Sequence, residues 1–179
     1  MGAGAFEELI QCLLMPQMYK LNGNTLHNYR ELVGLYVYIC LMSTILFIDT
    51  SSASSLIFIA NEERILAERS NPIPSNHAST LSLFFEELLY DAKRNWSQID
   101  CVCVLNGPGS YTGLRISLAS AKGICYAIDK PLFLLNKLDF LQEIAFERDT
   151  KKNTAVILRA REGEYFVSCR DEENNVLSA

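Results

Sequence analysis

Two stretches of this sequence combine residue types that can handle charged oxygens. The first is Gly107-Pro108-Gly109-Ser110-Tyr111-Thr112-Gly113-Leu114-Arg115, which follows an apolar run and opens a helical pattern. Its glycines permit tight turns and close backbone approach. Ser110 or Thr112 can cap the helix. Unpaired N–H groups at a helix start attract anions, and Arg115 adds a positive charge nearby. Such a loop can meet a nucleotide phosphate or a partner's carboxylate. It can equally be a well-capped strand-to-helix turn, and physics alone leaves both readings open. The second stretch is Asp49-Thr50-Ser51-Ser52, at the end of the first apolar run. A carboxylate with neighbouring hydroxyls can hold a magnesium-bound phosphate. No second acidic ligand accompanies Asp49, which favours an Asp that caps the turn before a hairpin.

The remaining reactive residue types are sparse. His77 stands at a helix start in Ser75-Asn76-His77-Ala78, where a polar residue beside the cap is the ordinary role. The other histidine, His27, lies in the N-terminal stretch that reads differently from the rest of the chain. A histidine-based metal site or catalytic triad is therefore not expected. Ser51, Ser52 and Ser110 have no evident base, and no residue is assigned to catalysis or to a metal. The six cysteines are Cys12, Cys40, Cys101, Cys103, Cys125 and Cys169. They show no zinc spacing, and each falls in an apolar run, as buried free thiols of a reducing cytoplasm do. Cys101 and Cys103, two apart, point the same way on a strand.

The elements that must position these residues follow from periodicity. Ile45–Ile48 and Ser54–Ala60 read as strands, and Asn61-Glu62-Glu63 turns the chain into a third at Arg64–Arg69. Pro72 and Pro74 break the pattern. Leu81, Phe84, Phe85 and Leu88 then recur at helical spacing within a helix over His77–Ala92. Ser97 is placed to cap a short turn before the apolar strand Cys101–Leu105. A helix over Gly113–Ile128, a strand over Pro131–Leu135 and a helix over Lys137–Phe146 come next. Thr154–Leu158 and Tyr165–Cys169 pair around Arg161-Glu162-Gly163. Three meandering strands followed by alternating helices and strands predict an α/β mixed sheet flanked by helices. The Leu81/Phe84/Phe85/Leu88 stripe is expected to face its own core, with a partner helix as the alternative. The small residues Ser117, Ala119, Ser120, Ala121 and Gly123 of the next helix carry the same two readings.

Composition sets limits. With 49% apolar residues the chain can bury a core, and its net charge of −5 gives no bulk basic surface for nucleic acid. Leu32–Ile48 carries no charge but is shorter than the ~20 apolar residues of a spanning helix, so no membrane anchor is expected. Residues 1–41 form an upstream stretch unlike the rest, either a start-site artefact or a real extension, and Met42 is a natural start for a compact domain.

In combination, Ile48-Asp49-Thr50, a histidine at the first long helix, GPGSYTGLR before the second and Ala121-Lys122-Gly123 within it resemble the TsaB (YeaZ) family. Arg159-Ala160-Arg161-Glu162-Gly163-Glu164-Tyr165 looks like that family's D-A-R-x-G-E-V/I-Y segment, with Arg159 in place of the usual Asp. The resemblance runs from Met42 to about Ala179. It implies an actin-like ATPase fold of the ASKHA class, with ribonuclease-H-like lobes: a first lobe over 42–137 and the opening strands of a similar second lobe over 138–179.

The resemblance also implies a cytoplasmic, non-catalytic scaffold in making threonylcarbamoyladenosine on tRNA. A TsaD-type paralogue would be its heterodimer partner and a TsaE-type ATPase would join the pair. The chain would meet tRNA only through the complex and use no cofactor of its own, ATP being used by the partners. Homodimerisation stays open. The family's heterodimer surface maps onto the helix containing His77, Leu81, Phe84, Phe85 and Leu88, and onto the next through Ser117 and Ser120. The catalytic paralogue carries a metal-binding H-x-x-x-H where this chain has Asn136-Lys137-Leu138-Asp139-Phe140-Leu141. Lysine and leucine cannot replace imidazole ligands, which argues against transferase catalysis by this chain alone. The competing reading is an independent ATP-dependent enzyme of the actin-like class. It would use Asp49, Thr50 and the loop residues Gly107, Gly109, Ser110, Thr112, Gly113 and Arg115, and would need an adenosine pocket in the second lobe.

Overall fold

The computed structural model describes residues 44–61, 64–71, 77–148, 153–172 and 176–177. The expectations for residues 1–41, including Cys12, His27 and Cys40, lie outside the described residues. Five strands form the first sheet: β1 (Ile45–Asp49), β2 (Ser55–Ala60), β3 (Ile65–Asn71), β4 (Cys101–Leu105) and β5 (Leu132–Leu135). Their order across the sheet is β3-β2-β1-β4-β5. The meander β1-β2-β3 is antiparallel, whereas β1, β4 and β5 run parallel. Two helices, α1 (His77–Asp91) and α2 (Tyr111–Ile128), make the crossovers, and α3 (Lys137–Arg148) comes after β5. The result is the mixed, helix-flanked sheet expected from the pattern.

Burial explains why the central strands lack alternation. Every residue of β1 and β4 is buried, because both faces of the sheet are covered. One face carries Leu46, Ile48, Val102 and Val104 against Leu81, Phe85 and Leu88 of α1 and Ala121 of α2. The other carries Phe47, Phe58, Cys101 and Cys103 against Phe140 and Ile144 of α3. Phe47 stacks between Phe58 at 4.6 Å and Phe140 at 5.5 Å. Cys101 and Cys103 share that face, as their spacing requires. Cys103 is raised well above the ordinary thiol pKa, first by its hydrogen bond with Cys101 and then by burial.

Several boundaries differ from the expectation. Ser97 does not cap the short 3-10 turn at Trp96–Gln98. Asn95 does, accepting from the Ser97 N–H while the Gln98 side chain accepts from the Asn95 N–H. A reciprocal pair satisfies two terminal donors where a lone serine satisfies one. The second helix starts at Tyr111, not Gly113, because Ser110 is its N-cap and accepts from the Gly113 N–H.

A second sheet holds β6 (Thr154–Arg159), β7 (Tyr165–Arg170) and β8 (Val176–Leu177) in antiparallel order β6-β7-β8. Its β6 residues Thr154, Val156 and Leu158 are more buried than Ala155, Ile157 and Arg159. The helix α3 serves this sheet too: the Gln142 amide donates to the Thr154 carbonyl at 3.2 Å, and buried Arg170 pairs with Asp139 at 3.3 Å. Among the described residues, no helix is long and apolar enough to cross a membrane.

Candidate functional site

Three parallel strands end at one edge of the first sheet, and the segments leaving them meet there. The chain passes from β1 into the turn Asp49–Ser52, from β4 into the GPG loop, and from β5 into the first turn of α3. The Asp49 carboxylate folds back over its own turn. Its Oδ1 accepts from the Ser51 N–H at 2.8 Å and from the Ser51 hydroxyl at 2.6 Å. Its Oδ2 accepts from the Ser52 hydroxyl at 3.4 Å and from Lys137 Nζ at 3.0 Å. The Lys137 ammonium donates as well to Ser51 Oγ at 2.8 Å and Ser52 Oγ at 2.5 Å. The Lys137 and Asp49 side chains are both buried, with exposures of 6% and 9%. A buried ion pair of this kind persists only when its remaining donors and acceptors are also matched, and here they are.

The GPG loop is fastened to the same turn. The Ser110 N–H donates to the Ser51 carbonyl at 2.8 Å, and the Thr50 hydroxyl donates to the Gly113 carbonyl at 2.6 Å. A Cβ on Gly113 would lie 1.9 Å from the Thr50 carbonyl oxygen, and one on Gly109 would lie 2.8 Å from Ser51. These glycines are needed because one backbone crosses another without room for a side chain. The Lys137 amide donates to the Gly107 carbonyl at 2.7 Å, so α3 is tied to the loop by its main chain too. A recess of about 250 Å³ remains beside the α2 N-terminus, lined by Ser51, Ser52, Ser110, Thr112, Gly113 and Ile116 among others.

Of the residues read from sequence as a phosphate or anion loop, Asp49, Thr50, Gly107, Gly109, Ser110 and Gly113 therefore converge. Thr112 lines the recess and is exposed. Arg115 is exposed, with its guanidinium 5.5 Å from the centre of the Tyr111 ring. Lys137 was legible only as a substitute for a metal-binding histidine, yet it supplies the cation of this cluster. The available signal was topological: a lysine directly after a parallel strand lies at the same sheet edge as an acid ending a neighbouring one.

On the helices the stripe follows its core-facing reading rather than the partner surface that the resemblance implies. Leu81, Phe85, Leu88 and Ser117 are buried in the lobe's own core, so a partner meeting these helices meets other side chains. The amphipathic spacing that marks this stripe is what packs it home. Phe84 and Ser120 are half-buried, and His77 opens α1 with its side chain outside the described residues. Among the described residues, the large apolar side chains exposed on these helices are Leu83, Tyr90, Tyr111 and Tyr126. Tyr90 and Tyr126 lie near the C-terminal ends of two parallel helices that cover the same sheet face.

Comparison with known proteins fits this geometry. A family model described as TsaD, tRNA N6-adenosine threonylcarbamoyltransferase, matches residues 67–177. The tRNA threonylcarbamoyladenosine biosynthesis protein TsaB of Bacillus subtilis is 30% identical over 134 residues, covering 75% of this chain and 58% of that protein. The TsaB of Haemophilus influenzae is 27% identical over 130 residues, covering 70% of this chain and 52% of that protein. The solved structure of YeaZ from Pseudomonas aeruginosa superposes with a TM-score of 0.67 at 27% identity, over 77% of this chain and 66% of that one. The chain thus spans about half the length of the curated relatives it matches. It belongs to the TsaB (YeaZ) family, within the wider group described by the TsaD model, and its sheet and helices are those of the actin-like ATPase fold.

Proposed function

We propose that this chain is a non-catalytic scaffold that binds a TsaD-type transferase in the threonylcarbamoylation of the tRNA adenosine next to the anticodon. The observation that carries the reading is Lys137. Where the catalytic paralogue places a metal-binding histidine, this chain places a lysine turned inward onto Asp49. Together with family membership, that supports a fold retained for assembly. A TsaE-type ATPase would join the pair, tRNA would be met through the complex, and the setting would be cytoplasmic. The contact surface we assign to the exposed flank of α1 and α2, where Leu83, Tyr90 and Tyr126 are 54%, 84% and 93% exposed. Exposed tyrosines near the C-terminal ends of two helices on one sheet face are apt anchors, since large aromatic side chains dominate contact energetics.

Size-exclusion chromatography of the full chain with a TsaD-type protein tests this. The expected outcome is a one-to-one complex whose affinity falls at least about tenfold in a Tyr90→Asp/Tyr126→Asp variant, as loss of interface anchors does. Phe85→Asp is unsuited to this purpose, because Phe85 is a core residue and its loss acts on folding. A folded chain that forms no complex, or one indifferent to the tyrosine pair, overturns the reading. Tight magnesium-dependent ATP binding by the isolated chain would favour the independent ATP-dependent enzyme instead.

A further inference from the structure

The Lys137 ammonium has three N–H donors, and three acceptors surround it: Asp49 Oδ2, Ser51 Oγ and Ser52 Oγ. The hydroxyls are oriented by the same carboxylate, since Ser51 Oγ donates to Oδ1 and Ser52 Oγ to Oδ2 while each accepts from the ammonium. This is a complete coordination shell for one cation. A magnesium ion needs six oxygens at about 2 Å and keeps several of its waters, so it demands more space and the same carboxylate. The residues present therefore do not fit a magnesium-bound phosphate while the lysine is in place. The anchor is also mechanical, because Lys137 begins α3 and its amide is held by the Gly107 carbonyl.

We infer that Lys137 is the resident cation of the Asp49–Ser51–Ser52 pocket, that it excludes a divalent ion and any phosphate carried by one, and that it closes the junction of β1, the GPG loop and α3 without a ligand. A tethered ammonium is present at unit occupancy, so the junction does not respond to nucleotide or metal concentration. The inference concerns this chain's own residues and stands or falls apart from partner binding.

The test uses the full chain and reads melting temperature and manganese binding. Replacing Lys137 by Met keeps most of the stem and removes the charge, leaving Asp49 buried without its partner. The melting temperature is expected to fall on the order of 10 °C. Adding Asp49→Asn to that variant should recover much of the loss, because no unpaired charge is left. In Lys137→Ala, n-propylammonium replaces the missing Cγ-to-Nζ atoms and should raise the melting temperature where sodium chloride at equal ionic strength does not. Manganese titration followed by water-proton relaxation should give superimposable curves for the wild type and Asp49→Asn. A wild-type manganese site that Asp49→Asn abolishes overturns the inference. So does a Lys137→Met chain as stable as the wild type, or one whose loss simply adds to that of Asp49→Asn.

Discussion

The molecule contains the same hairpin twice, and the two copies end differently. In each, an apolar strand reaches a charged residue, turns, and returns antiparallel: β1 to β2 after Asp49, and β6 to β7 after Arg159. Asp49 is 6% exposed and locked to Lys137. Arg159 is exposed, and its turn closes through main-chain bonds, Ala160 N–H to the Glu164 carbonyl and Glu164 N–H to the Arg161 carbonyl, each 2.9 Å. The contrast comes from what lies beyond the hairpin. Around Asp49 two further parallel strands deliver the GPG loop and α3, which bury the carboxylate and force it to find a counter-charge. Around Arg159 no such neighbours appear among the described residues, and the side chain is solvated. Hence the charge sign matters little at the exposed turn, whereas Asp49 is bound to its buried counter-charge.

That contrast can be broken or sharpened in graded steps. Asp49→Ala leaves the Lys137 ammonium buried without its carboxylate and is expected to destabilise the chain by about 3–5 kcal/mol, measured by urea denaturation. A loss below about 1 kcal/mol would mean that the pair is solvated in practice, like an exposed bridge. Gly113→Ala drives a methyl into the Thr50 carbonyl. It should cost about 1–3 kcal/mol as an overpacked contact, and thermal melting that matches wild type would show that α2 can move away from β1. Arg159→Asp restores the acid of the family segment at an exposed turn. Its expected effect is within about 0.5 kcal/mol, and a larger shift in either direction would place Arg159 in an interaction the solvated reading omits.

Much of this architecture was written in local pattern. The continuous apolar runs at Ile45–Ile48 and Cys101–Leu105 are strands because both faces are covered, and the spacing of Leu81, Phe85 and Leu88 announced a core-facing stripe. The site was half legible. Asp49 and the GPG loop are conspicuous because dense runs of turn-forming residues directly follow wholly apolar strands. Lys137 is not, since a lysine at a helix start reads as solvated until the strand order brings three chain segments to one edge. The helix flank of Leu83, Tyr90 and Tyr126 escaped notice for the opposite reason. An isolated tyrosine at a helix end carries no pattern of its own, and only its exposure in the fold sets it apart from a core aromatic.

The double duty of α3 bears on where this polypeptide can be divided. Phe140 and Ile144 roof one face of the first sheet, while Gln142 and Asp139 hold the second. A fragment that stopped at the end of β5 would bare the stacked Phe47–Phe58 pair to water and strand Asp49 without its ammonium. Cutting at the border between the two sheets would therefore injure the larger piece more than the smaller, and a gene trimmed to the first lobe must keep the whole helix as its last element.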